Sequence, residues 1–181
     1  IGELLNITRE RVRQLEKAVM ARLKAMADKE LPMMKQFETT VLSHISEMGH
    51  VARVSDLSAK LTKENSKIDQ SRVSFLAELS PSLSVIDDND NFYHAVGTRL
   101  EHDEKKIREA VGTIVDAIKK LNKPVNAATI KEAIGHADAD RVAALASISK
   151  QLAHLGGQWG LVKWPLVNPK NIRDKIYVIL R

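Results

Sequence analysis

Cysteine is absent from the 181-residue chain, which excludes a disulfide scaffold and any cysteine-ligated zinc site. A reducing, cytoplasmic setting is therefore the expectation. Aromatic residues make up only 4%, so any core must be built from Leu, Ile, Val, Ala and Met. No apolar run approaches the roughly 20 residues of a membrane span, so no membrane partner is expected. No signal peptide is visible; because the first residue is Ile, a portion upstream of it is expected. Catalytic motifs are missing too. The six histidines (His44, His50, His94, His102, His136 and His154) show neither H-E-x-x-H nor a paired carboxylate spacing. No Gly-rich phosphate loop precedes a helix, and there is no G-x-S-x-G turn. His136-x-Asp138-x-Asp140 resembles a ligand cluster, but it precedes a helix that Asp138 or Asp140 can cap. No enzymatic activity, cofactor or metal is expected.

Positive charge is what the chain does have. The formal net charge is +5, with a pI near 9.4, which favours an acidic partner. Residues 1–30 carry 7 basic and 5 acidic groups, residues 31–100 carry 7 and 9, and residues 101–181 carry 14 and 9. A nucleic-acid surface is thus expected at the ends, not in the middle.

The stretch ITRERVRQLEKAVMARLK places Arg9, Arg11 and Arg13 at alternate positions directly after Thr8. A short helical piece, Ile1 to Leu5, breaks at Asn6-Ile7, and Thr8 can cap the next helix because its hydroxyl accepts from an early N–H. Glu10 suits the positive helix end. Val12, Leu15, Val19 and Leu23 recur at three and four, giving one apolar face, and Arg9, Arg13, Gln14 and Lys17 lie off it. Helix, tight turn and polar second helix form a helix-turn-helix.

From residue 31 a pattern of elements occurs twice. The first pass predicts a helix over 33–48, a short strand over 51–54, a helix over 55–61 and a loop through TKENSKIDQ. A helix over 71–79 and two strands turning at Asp88-Asn89-Asp90 complete it. The second predicts a helix containing Ile107, Val111, Ile114, Val115 and Ile118, an extended Pro124-Val125, and helices over 129–134 and 140–152. A Gly-rich turn with strand character, GGQWGLVKWPLV, closes it. Leu57 and Leu61 match Ile130 and Ile134, and Arg72-Val73-x-x-Leu76-Ala77 matches Arg141-Val142-x-x-Leu145-Ala146. Helix–strand–helix–helix–strand–strand is the winged-helix plan. After Pro169, Ile172-Arg-x-x-Ile176-x-x-Ile179-Leu180 echoes Ile107-Arg-x-x-Val111-x-x-Ile114-Val115, as if a third repeat were beginning. The expected fold is mainly α: a helix-turn-helix (1–30), tandem winged-helix modules (31–100 and 101–168), each three helices plus a small β-wing, and a further or packing helix (169–181).

Residues 1–24, and above all T-R-E-R-V-R-Q-L-E at Thr8 to Glu16, resemble the end of region four of bacterial RNA polymerase sigma factors. That family's helix-turn-helix reads the promoter element upstream of the transcription start. The repeats, and the tail IRDKIYVILR, resemble winged helices of the HARE type. The first resemblance implies double-stranded DNA as a partner, with RNA polymerase a further one, and a role in transcription initiation or its regulation.

Carried over by position, Arg9, Glu10, Arg13 and Gln14 would contact bases, since Arg suits guanine, Glu accepts from cytosine and Gln pairs with adenine. Arg11 and Lys17 would clamp phosphates, and Thr8 caps the helix. In the winged units the third helices offer Ser71 and Arg72, and Arg141 is a DNA-contact candidate. The acidic turn Asp87-Asp88-Asn89-Asp90 is hostile to phosphate and suits a spacer or protein-binding role. Gly156-Gly157-Gln158-Trp159 with Lys163 and Trp164 suits a backbone better, although both tryptophans also fit as buried anchors. Three alternatives stand beside this reading. The arginines can be a solvated helix face, and Leu15, Val19, Leu23 and Met26 form a near-heptad seam that a homodimer or a protein scaffold could use. The chain can also be the DNA-targeting segment of a larger restriction or repair enzyme.

Overall fold

The computed structural model describes residues 8–99 and 103–180; the expected piece Ile1 to Leu5 and the break at Asn6-Ile7 lie outside the described residues. Within them the protein is mainly helical, with small antiparallel sheets. Helix α1 (Arg9–Glu30) starts where Thr8, in extended geometry, accepts from the Arg11 amide at 3.2 Å. It ends at Leu31, and Pro32 opens α2 (Pro32–Glu47) at a position where a missing N–H costs nothing. Two residues in left-handed geometry, Gly49 and His50, turn the chain into β1 (Val51–Arg53). Helices α3 (Val54–Leu61) and α4 (Lys67–Leu79) follow, then strands β2 (Leu83–Ile86) and β3 (Ala95–Thr98). The sheet order is β1-β3-β2, antiparallel throughout.

The same order recurs in α5 (Glu104–Leu121), α6 (Ala127–Ile134), α7 (Ala139–Ser147) and the hairpin β4 (Leu152–Leu155) and β5 (Gln158–Leu161). Val125 stands in the place of β1: its amide donates to the Trp159 carbonyl at 3.0 Å and its carbonyl accepts from the Trp159 amide at 2.7 Å. The chain then forms α8 (Ile172–Ile179), capped by Asn171.

Side chains on a strand alternate between faces, and both faces of the first sheet are used. Ala52, Leu83 and Val96 turn toward Val41, Ile45, Leu57, Val73 and Ala77 of α2, α3 and α4. Their neighbours Val51, Ile86 and Ala95 turn the other way and join Ile107, Val111, Ile114 and Ile118 of α5, Ile130 of α6, and Val142 and Leu145 of α7. One apolar cluster thus crosses the expected boundary at residue 101. A small third cluster, Ala27, Met34 and Leu79, holds α1 against the rest.

Some boundaries differ from the sequence reading, each for a local reason. Helix α4 starts four residues before the expected Ser71, because Ser66 and Asp69 form a reciprocal capping box inside the presumed loop. Helix α7 stops at Ser147, since Leu152 already pairs with Leu161 in β4–β5. The expected strands around Asp88-Asn89-Asp90 are pushed apart to β2 and β3. The residues between them pair elsewhere: the Tyr93 amide donates to the Ile148 carbonyl at 2.9 Å, and the Lys150 amide donates to the Asn91 carbonyl at 2.8 Å.

Candidate nucleic-acid interface

The first two turns of α1 project into solvent. Thr8, Arg9, Glu10, Arg11, Arg13, Gln14 and Lys17 are all exposed, so none of the seven is withdrawn beneath a neighbouring element. They are tied to one another. Arg13 forks onto Glu10, Nε to Oε2 at 2.9 Å and a terminal nitrogen to Oε1 at 2.8 Å. The Gln14 amide also donates to Glu10 at 3.5 Å, and Arg11 donates to Gln14 at 3.4 Å. The Arg13 guanidinium holds the Glu10 carboxyl below its ordinary range, and the carboxylate in turn raises Arg13. That fork is satisfied within the helix, which fixes the plane of the guanidinium and leaves its outer N–H groups for another partner.

Further along, α1 becomes anchored. Met20, Leu23 and Ala27 pack with Met34, Phe37, Leu76 and Leu79, and Lys24 Nζ pairs with Glu78 at 2.6 Å. Arg13 and Lys17 share a cleft of about 700 Å³ with Ser71, Phe75 and Asp87. Moving toward the N-terminus on α1 therefore also moves toward the N-terminus on α4, so the two helices run side by side in the same direction. On the other side of α1, Leu15 and Val19 are 42% and 55% exposed, leaving the middle of the apolar stripe uncovered among the described residues.

Arg141 corrects the sequence reading. It was expected to face DNA at the start of the third helix, but it is only 6% exposed. The turn at Gly49 lies against this part of α7: a Cβ on Gly49 would fall 2.8 Å from Ala144 Cβ and 3.2 Å from Arg141 Cα. Arg53 Nε also reaches the carbonyl of Ser147 at the helix end, at 2.6 Å. The face of α7 that a duplex would need is thus an internal contact. The matching position in the first pass, Arg72, has a side chain 73% exposed. Ser71 is exposed as well, its hydroxyl donating to the Lys67 carbonyl at 2.9 Å.

The acidic turn is also an internal contact. Asp88 pairs with Lys150, Gln151 donates to Asn91 at 3.1 Å, and Arg53 lies over the Tyr93 ring at 3.9 Å. Trp159 is buried and its ring leans on His154, at 4.6 Å between centroids; Trp164 is half-buried beside Gly160. Gly156 and Gly157 form the exposed β4–β5 turn, with Gln158 next to it and Lys163 exposed beyond β5. Asp138 caps α7 by accepting from the Asp140 amide at 2.8 Å. Among the described residues no trio of His, Asp or Glu side chains is gathered for a metal ion. Among the same residues no helix is long and apolar enough to cross a membrane.

Lys67 was overlooked in the sequence because it lay in the presumed loop. The Ser66-x-x-Asp69 spacing, a capping-box pattern, was the signal that could have placed it on a helix.

The tip of α1 is a capped helix end whose exposed side chains are of the kinds that contact nucleic acid. The family model of Sigma-70, region 4, matches residues 1–25, a span that includes every side chain of the α1 tip. No curated protein and no solved structure matches the chain.

Proposed function

We propose that the protein binds double-stranded DNA in a sequence-dependent manner through the tip of α1 and acts in transcription initiation or its regulation, as a sigma-like promoter reader. RNA polymerase is the protein partner this reading implies. The mechanism is docking and readout without chemistry. The observation that carries it is the exposed, pre-aligned Glu10–Arg13–Gln14 set inside the segment that matches Sigma-70, region 4. Arg9, Glu10, Arg13 and Gln14 read base edges, while Arg11 and Lys17 hold phosphates. Met20 lies eleven residues past Arg9, so roughly 16 Å of helix stands clear of its anchor. That is enough to enter a major groove about 8.5 Å deep.

The two passes of helix–strand–helix–helix–strand–strand support a reading as winged-helix units of the HARE type, 31–100 and 101–168, joined through the shared cluster. They form the platform that aims α1. Selection of bound duplexes from a randomised pool tests the function: a recurring motif supports it, and recovery of unrelated sequences with equal affinity refutes it.

A second reading rests on Leu15, Val19 and Met26, exposed along one side of α1. In it this seam pairs two copies of the chain, and the protein is an interaction scaffold. Sedimentation at micromolar concentration distinguishes the two, since the scaffold requires a dimer mass that Val19→Glu would abolish.

A further inference from the structure

The reading face of α1 does not look out over open solvent along its whole length. Arg13 and Lys17 line a cleft with Ser71 and Phe75 of α4, and one turn further on, Met20 and Lys24 are closed against α4. A duplex therefore cannot lie along α1. It can only be approached by the tip, which places its backbone across the beginning of the neighbouring helix. Because the two helices run in the same direction with Lys24 opposite Glu78, the first turn of α4 stands near the level of Arg13.

What stands there is suited to a polyanion. Lys67 and Arg72 are exposed, and the hydroxyl of Ser71 between them would have to leave the Lys67 carbonyl to donate to a phosphate. The cleft itself also holds Glu16, Asp87 and the Lys24-paired Glu78, whereas the acidic group within this turn is largely withdrawn. Asp69 is turned inward to accept from the Ser66 amide at 3.1 Å and hydroxyl at 2.8 Å, and its distance to Arg72 is a loose 3.5 Å. The equivalent turn of α7 has its arginine buried, so of the two third helices only α4 offers a cation at this place.

We propose that Lys67, Ser71 and Arg72 of α4 form a second DNA contact, a phosphate clamp on the same duplex that the tip of α1 reads. The clamp sets the angle at which α1 enters the groove and contributes affinity without sequence preference. It rests on the DNA-binding reading of α1.

A salt series with a Lys67→Ala/Arg72→Ala double variant tests it, using the duplex selected by the native protein. Each phosphate contact adds roughly 0.9 to the slope of log affinity against log salt. Loss of both cations should flatten the slope by about 1.8. Between 50 and 200 mM salt the native protein would then lose about tenfold more affinity than the variant. Base preference should be unchanged. A Lys170→Ala/Lys175→Ala variant, with the same change in net charge on exposed residues at α8, away from α4, should leave the slope as it was. An unaltered slope in the α4 variant with native binding intact overturns the clamp. A flattening equal in both variants overturns it as well, by showing a general charge effect. Absence of DNA binding by the native protein at low salt would remove the α1 reading itself.

Discussion

Glu10 accepts from both Arg13 and Gln14, so three of the reading side chains respond as a unit. Under the proposed reading, replacing Arg13 with Ala should cost roughly 1–3 kcal/mol of discrimination at its own base pair, with a smaller loss at the positions read by Glu10 and Gln14, which share its hydrogen bonds. Competition titrations against single-substituted duplexes measure this, and a uniform loss would reassign Arg13 to phosphate. Acid should act on a different residue. Asp69 has its pKa lowered by the Ser66 hydroxyl and amide. A carboxylate with a lowered folded pKa stabilises above its unfolded value, and that stability is lost as pH falls through the folded one. The start of α4 should therefore be fully capped at neutral pH and fray below the ordinary carboxylate range, seen as faster exchange of the Ser66 and Asp69 amides. At this scale the sequence was informative wherever a side chain answers to its own helix. Thr8 caps as its position suggests, and the arginines lie off the apolar stripe. Arg141 was not legible, because its burial is decided by a turn ninety residues away that no local pattern announces.

Helix periodicity located the helices well, since Ile107, Val111, Ile114 and Ile118 of α5 are all buried. Short strands were harder to place. β2 and β3 have four residues each, and the polar, aromatic run between them looked like part of a hairpin until its backbone found partners at Ile148 and Lys150. Gly49 is the element-scale feature that no periodicity records. Its φ is +80°, and the space where a Cβ would stand is occupied by Ala144 and the Asp140 carbonyl. A Gly49→Ala change should destabilise the fold by about 1–3 kcal/mol through strain and overpacking together. Urea unfolding should show a lower midpoint with an unchanged slope.

At the level of the whole molecule, the first sheet is buried on both faces, so neither half is expected to be independent. Far-ultraviolet signal and tryptophan fluorescence, which reports from Trp159 and Trp164, should follow one transition during unfolding. Ile107, packed against Gly97 across the junction, should cost about 2–5 kcal/mol when cut to Ala. The transition should shift as one without splitting in two; separate midpoints would mean two uncoupled halves. The sequence did mark Leu57 and Ile130 as inward positions, and both are fully buried. The use of the sheet's second face was not, because four-residue strands give too short an alternation to reveal a double burden. That same junction gives the paired arginines opposite fates. Drift at position 72 would be tolerated by folding and felt by the ligand, whereas drift at 141 would be felt by folding first. A substitution tolerated at one of these two positions therefore says nothing about the same substitution at the other.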